Sequence, residues 1–376
     1  MSNSNEHFQF TDERFADLQM LRYRLNGFED LTLSQQIYIY CLAKATLMGR
    51  DITFDQQGKY NLRIRKTLEA IYKHYDGDRT SDDFKALEVY LKRVWFSSGI
   101  YHHYGCEKFK PGFSEHFFYE AVSLMPETEL PLRRGETKED LLDELVPVIF
   151  DEEVLPKRVN QTDGVDLVAT SACNFYEDVT QDEVERFYAR LKDGEDLTPP
   201  SYGLNSKLMK RNGEIVEKTW KEEGMYGSAI KEIISWLLKA QKYTENEQQA
   251  HVIDLLIKYY RTGDLSDFDR YSIAWVKQQE GMVDFINGFI EVYGDPLGLK
   301  GTWEGLVEFK DMEATRRTQA ISQNAQWFED HSPVAPQFKK AEVKGVTAHV
   351  ICAAMLGGDE YPASAIGINL PNANWI

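Results

Sequence analysis

Glu291 and Tyr293 stand two residues apart at the end of an apolar, β-prone run, Met282–Tyr293. Side chains of an extended strand alternate with period two, so this spacing puts both groups on one face. A carboxylate and a phenol side by side could hold an ammonium and polarise a carbonyl. The same spacing also describes an ordinary surface pair on a half-exposed strand. Further on, Gly367-Ile368-Asn369-Leu370-Pro371-Asn372 sets two amide side chains three apart around a proline. Proline interrupts strand pairing, and each amide offers both a donor and an acceptor to a peptide backbone. A simple turn fits these residues as well.

Other chemistries lack their residues. The chain has no G-x-S-x-G, no G-x-x-x-x-G-K-[ST] and no G-x-G-x-x-G, and none of its eight histidines is followed by Glu. An H-E-x-x-H helix, in which two histidines one turn apart grip a metal, is therefore absent. Tyr101-His102-His103-Tyr104-Gly105-Cys106 gathers ligand-type residues, but adjacent histidines do not easily converge on one ion. His116 and Glu120 sit one helical turn apart, which is usual surface decoration. No metal ligand is assigned in this chain.

The elements that must position these groups are mostly helical. Thr32-x-x-Gln35 and Thr180-x-x-Glu183 are capping boxes, and Ser81, Thr137 and Ser266 are further cap candidates. Ile37–Met48 is apolar and aromatic, and Gly49 would end it in a left-handed conformation. Ile230, Ile233, Ile234, Leu237 and Leu238 keep the i, i+3, i+4 spacing of one buried stripe. Val252–Tyr260 is another helix, stopped near Gly263. Asn212-Gly213 between two short extended runs predicts a hairpin. From Gly281 the pattern changes to strand, loop and strand (Trp303–Phe309), then helix (Asp311–Phe328), then a β pattern over Gly345–Met355. The class expected is α+β and helix-rich, with a sheet assembled late in the chain.

Composition bounds the partners. The 376 residues carry a formal net charge of −18, with 42% hydrophobic and 12% aromatic residues. Such an acidic balance disfavours phosphate-backbone binding, so no nucleic-acid partner is expected, while cationic or neutral ligands such as peptides are permitted. The start, Met1–His7, has no charged and apolar leader pattern, and Val350–Leu356 is too short to span a bilayer, which needs about 20 residues. No membrane partner is expected. Cys41, Cys106, Cys173 and Cys352 are widely separated and read as buried free thiols. A cytoplasmic location follows as an expectation.

Two segments together carry a family resemblance. Gly288–Gly305 fits G-F-I-E-x-Y-x-D-P-x-G-x-[RK]-G-x-x-E-G, and Gly367–Asn372 fits G-I-N-[IL]-P-N. In that order, with a helix and a strand between them, they resemble the dipeptidyl-peptidase III family of zinc-dependent exopeptidases. The confident likeness covers about the last quarter of the chain. Lys300 stands where relatives often have Arg, and Ala373-Asn374 replaces a common Tyr-Asp.

This resemblance implies a two-lobed, wide-clefted protein with a β-barrel-like core in the substrate-binding lobe. Residues 1–310 and 345–376 would form that mixed lobe, and 311–344 a helical excursion towards a second, zinc-carrying lobe. It implies that Glu291 binds the free amino-terminal ammonium of a short peptide and that Tyr293 supports the developing oxyanion. Asn369 and Asn372 would hold the peptide backbone, with Glu304 on the same wall. The family's zinc motif, His-Glu-x-x-Gly-His, and a later Glu lie downstream of the Asn motif, beyond Ile376. The chain is expected to be the amino-terminal portion, with zinc only in the complete enzyme and no turnover by the 376 residues alone. A non-catalytic peptide-binding or scaffold protein ending at residue 376 is the competing expectation; the oligomeric state is left open.

Overall fold

The computed structural model describes residues 8–192, 194–345, 349–362 and 366–376. The reading of Met1–His7, and part of the strand expected over Gly345–Met355, fall outside the described residues. The chain opens with a hairpin, β1 (Thr11–Phe15) and β2 (Leu18–Leu21). Helix α1 (Leu33–Met48) begins at its expected capping box: Thr32 Oγ1 accepts from the Gln35 amide, and Gln35 Oε1 accepts from the Thr32 amide. Gly49, however, has an ordinary right-handed φ of −81°, and the chain continues directly into α2 (Arg50–Gln56). Glycine is required there for a different reason. A Cβ would lie 2.3 Å from the ring of Trp303, which packs against the α1–α2 junction.

Helices α3 (Asn61–His74), α4 (Asp82–Phe96), α5 (Glu115–Leu124) and α6 (Lys138–Phe150) follow, capped at Ser81, Ser114 and Thr137 in the last three cases. They surround one apolar core that includes Ile64, Leu68, Leu87, Leu91, Leu141 and Leu145. Next comes a small mixed sheet. Strand β3 (Tyr176–Glu177) runs parallel to β4 (Ser206–Arg211), which turns through Asn212-Gly213 into antiparallel β5 (Glu214–Thr219). Both turn residues take positive φ, 51° and 84°, as the hairpin requires. Helix α7 (Gln181–Ala189), started by the second capping box, seats Val184 and Tyr188 in a satellite core with Leu208.

The largest core joins α1 to α8 (Gly227–Ala240), α9 (Glu247–Thr262) and α10 (Leu265–Lys277). The stripe on α8 buries Ile230, Ile233, Ile234 and Leu237, whereas Leu238 is 41% exposed and lies off it. Gly263 closes α9 at φ 69°, and α10 is capped by Asp264, whose carboxylate accepts from the Ser266 amide, rather than by Ser266 itself.

Against this core lies a three-stranded antiparallel sheet: β6 (Val283–Glu291), β7 (Thr302–Lys310) and β8 (Ile351–Gly358), in that spatial order. The expected helix between β7 and β8 is two, α11 (Met312–Gln323) and α12 (Ala325–His331), broken at Asn324 and started by the Asp311 carboxylate. The mixed α and β content agrees with expectation, but the barrel-like core does not. Among the described residues, the strands fall into three separate open sheets. A barrel needs its first and last strands to pair and so remove the edges; here β6 and β8 remain the edges of their sheet among the described residues.

Candidate functional site

The β6–β7–β8 sheet has two different faces. On one, Gly305 and Gly357 press against Thr46 of α1, where a Cβ would come within 2.9 Å and 2.5 Å of the threonine side chain. The other face, by alternation, carries Asp284, Ile286, Gly288 and Ile290 from β6 and Glu304, Leu306 and Glu308 from β7. Cross-strand register puts Asp284 opposite Glu308, and Glu304 between Gly288 and Gly358. A face that must be buried is thus seeded with carboxylates, where ionisation is costly.

Glu304 is the extreme case. It is 1% exposed, and neither carboxylate oxygen has a hydrogen-bond partner. Burial pushes its pKa well above the ordinary value, and the negative charges of Glu360, Asp359 and Glu291 push it further. Asp359, just past β8, is raised by burial too; the Arg158 guanidinium works against that rise and Glu291 adds to it. The charges of Glu291, Asp359 and Glu360 thus all bear on Glu304 at the end of the sheet. Asp359 and Glu360 were not singled out from sequence; the only signal was an acidic pair following a strand that ends in Gly357-Gly358.

Glu291 is the last residue of β6, paired with Thr302 across a bulge, and is partly buried. Tyr293 is placed otherwise than expected. The strand ends before it, and the Asp295 amide donates to the Val292 carbonyl at 3.1 Å to close a turn. Period-two alternation therefore does not reach Tyr293, and the shared strand face is not how the two groups are related. The phenol instead stands 82% exposed on a loop.

That loop is held tightly. The buried Asp295 carboxylate accepts from the amides of Leu297, Leu299 and Lys300 and from the Tyr176 hydroxyl. Lys300 is fully buried, and its Nζ donates to Tyr188 Oη and Ser206 Oγ. Both hydroxyls donate in turn to Glu217, so a buried cation and its carboxylate are bridged by two neutral groups. Burial lowers the Lys300 pKa to about 8 despite Glu217 and Asp295. At the far end of the loop, Gln56 of α2 acts as a short strand: its Nε2 donates to the Gly301 carbonyl at 3.1 Å and its Oε1 accepts from the Trp303 amide at 2.8 Å.

Asn369 and Asn372 are both exposed, in a segment outside regular structure. The two residues between them turn inwards, Leu370 and Pro371 lining a small cavity with Phe268, Tyr271, Trp275, Ile286 and Ile290. Ile290 directly precedes Glu291, so this seat lies at the end of β6. The structure thus seats Leu370 and Pro371, between the two Asn residues, beside the end of β6.

His102 and His103 stack at 4.6 Å, and His102 Nδ1 accepts from the amides of Tyr104 and Gly105, which occupies that nitrogen in a turn. Cys41 and Cys173 are buried, Cys106 and Cys352 only partly so, and all four are free thiols. Among the described residues no group of three or more His, Cys, Asp or Glu is disposed to hold a metal ion. The carboxylates around Glu304 come without the nitrogen or sulfur ligands usual for zinc. These residues do not fit the family's zinc centre. No described helix is long and apolar enough to cross a membrane.

The family model described as Peptidase family M49 matches residues 202–376, the part of the chain that carries the loop, the sheet and the Asn segment. That part of the chain is similar to the M49 peptidases. Human dipeptidyl peptidase 3 is 22% identical over 379 residues, covering 92% of this chain and 51% of the human protein. The Dictyostelium discoideum dipeptidyl peptidase 3 is 22% identical over 345 residues, covering 85% of this chain and 48% of its own length. Among solved structures, DPP III from Caldithrix abyssi superposes with a TM-score of 0.63 at 18% identity, over 93% of this chain and 53% of that one. Dipeptidyl-peptidase III from Corallococcus sp. strain EGB gives 0.59 at 16%, over 93% and 52%. The chain spans about half the length of the curated relatives it matches. The resemblance drawn from Gly288–Gly305 and Gly367–Asn372 holds, and it extends over most of the chain.

Proposed function

We propose that this chain supplies the peptide-binding part of a dipeptidyl peptidase of the M49 kind. The observation that supports this most is the set of carboxylates bearing on Glu304 at the end of the sheet, with Leu370 and Pro371 seated against Ile290 next to Glu291. Glu291 and Asp359, both partly buried, offer negative charge to a peptide's amino-terminal ammonium, with Glu304 beneath them. A charge-assisted hydrogen bond there would fix the position of the peptide's first residue. Asn369 and Asn372, exposed on a segment free of strand partners, would bind the peptide backbone as an added strand does. Tyr293 would present its phenol to the carbonyl that accumulates charge. Residues 311–344 would form the excursion towards a second lobe, and zinc would be held by residues outside this chain; no step is derived through it.

The test is calorimetric. The chain should bind trialanine and fail to bind N-acetyltrialanine, and Glu291→Ala should weaken trialanine binding at least tenfold, which corresponds to the loss of about 1.4 kcal/mol. Equal binding of the free and acetylated peptides would remove the ammonium reading. Undiminished binding by the Glu291→Ala protein would remove that residue from it.

A further inference from the structure

Asn369 and Asn372 are offered to solvent by a segment with no strand to hold it. Among the described residues, no backbone group of 367–372 is hydrogen-bonded to another backbone group, and a Cβ on Gly367 would meet open space. The hold is apolar instead. Leu370 and Pro371 turn into a seat formed by Phe268, Tyr271 and Trp275 of α10 with Ile286 and Ile290 of β6. Ile286, Gly288 and Ile290 share one face of β6 by alternation, and Phe268 lies over the glycine, 3.6 Å from where a Cβ would stand. The Trp275 indole donates to the Asp284 carboxylate and to the Phe285 carbonyl, both at 3.1 Å, which fixes that ring against β6. The space left in the seat is about 20 Å³, room for one water at most. A cavity of that size takes no ligand side chain, so its role is to pack the segment rather than to bind a peptide residue.

We propose that Leu370 is a positioning residue for peptide binding: its side chain, docked between α10 and β6, fixes where the flanking Asn369 and Asn372 amides stand relative to Glu291. This inference rests on the peptide-binding reading given above and adds to it a residue that does not itself touch the peptide. A backbone without hydrogen-bonded partners takes many conformations once unseated, and ordering it again opposes binding. Alanine at position 370 removes most of the apolar area that holds the seat. With about one molecule in ten still seated, apparent affinity falls about tenfold, because only the seated fraction is competent to bind. Methionine nearly conserves the volume of leucine and fills the same seat, so Leu370→Met should bind as the unaltered chain does.

Titration calorimetry with trialanine tests this. Leu370→Ala should weaken binding about tenfold and keep the preference for trialanine over N-acetyltrialanine, because Glu291 is not moved; a chain that had lost its fold would lose that preference too. A double-mutant cycle separates positioning from a merely structural role. In the Asn369→Ala/Asn372→Ala chain there are no amides left to position, so adding Leu370→Ala should cost no further affinity. Unchanged trialanine binding by Leu370→Ala overturns this inference and leaves the ammonium reading standing. So does an equal loss in both backgrounds, or a Leu370→Met chain as weak as Leu370→Ala. Absence of trialanine binding by the unaltered chain, or equal binding of N-acetyltrialanine, overturns both.

Discussion

Replacing Glu308 with Gln should make the protein more stable, and only at neutral and alkaline pH. Glu308 lies directly across the β6–β7 ladder from Asp284. Burial first, then the charges of Asp284 and Glu360, push its pKa from 4.5 up to about 7; burial takes Asp284 from 3.8 to about 6. A native state that keeps its proton up to about pH 7 binds more protons than the unfolded chain between roughly pH 4.5 and 7. Stability therefore falls as pH rises through that window, and the full penalty is present above it. For Glu308 that penalty is on the order of 3 kcal/mol, as an upper limit. Glutamine never ionises, but its amide needs partners and solvent reaches this side chain in part, so a gain of about 1 to 3 kcal/mol is expected at pH 8. Urea unfolding at pH 4.5 and pH 8 gives the comparison, with the slope on urea unchanged. The two proteins should nearly coincide at the lower pH and separate at the higher. A gain of equal size at both values, or a variant less stable at pH 8, would refute the assignment of a strained carboxylate to this position.

Lys300 titrates with the opposite sense. Its folded pKa of about 8 lies below the ordinary 10.5, so the unfolded chain binds more protons between those values and stability should rise across them. The rise is at most about 3 kcal/mol for this group, and Lys300→Met should flatten it in urea unfolding at pH 8 and pH 10. Gln56→Ala removes both hydrogen bonds that fix Gly301 and Trp303 and leaves two buried backbone groups unpaired. A loss of about 2 to 5 kcal/mol is expected, seen as a lower urea midpoint, together with faster amide exchange at Trp303.

Much of the local structure was legible in the chain. Thr32-x-x-Gln35, Thr180-x-x-Glu183 and Asn212-Gly213 specify their elements through neighbours a few residues away, and the structure forms all three. The Gly288–Gly305 and Gly367–Asn372 motifs were recognisable because each is a contiguous run. The failures have two causes, one distant in the chain and one local. Gly49 ends α1 as expected, but not in a left-handed conformation; what requires glycine there is Trp303, more than two hundred residues away. Tyr293 was placed on a strand that the Val292–Asp295 turn ends first.

What the sequence alone determined, then, is much of what short-range geometry carries: most caps, the hairpin, the apolar stripes, and the residue types offered to a ligand. What only the tertiary structure decided is which of those residues share an environment. Whether Glu304 is an exposed acid or a buried one without a donor depends on β8 and Asp359 closing over it from more than fifty residues along the chain. Ionisation free energy is set by surrounding dielectric and charge, and neither is a property of any short segment.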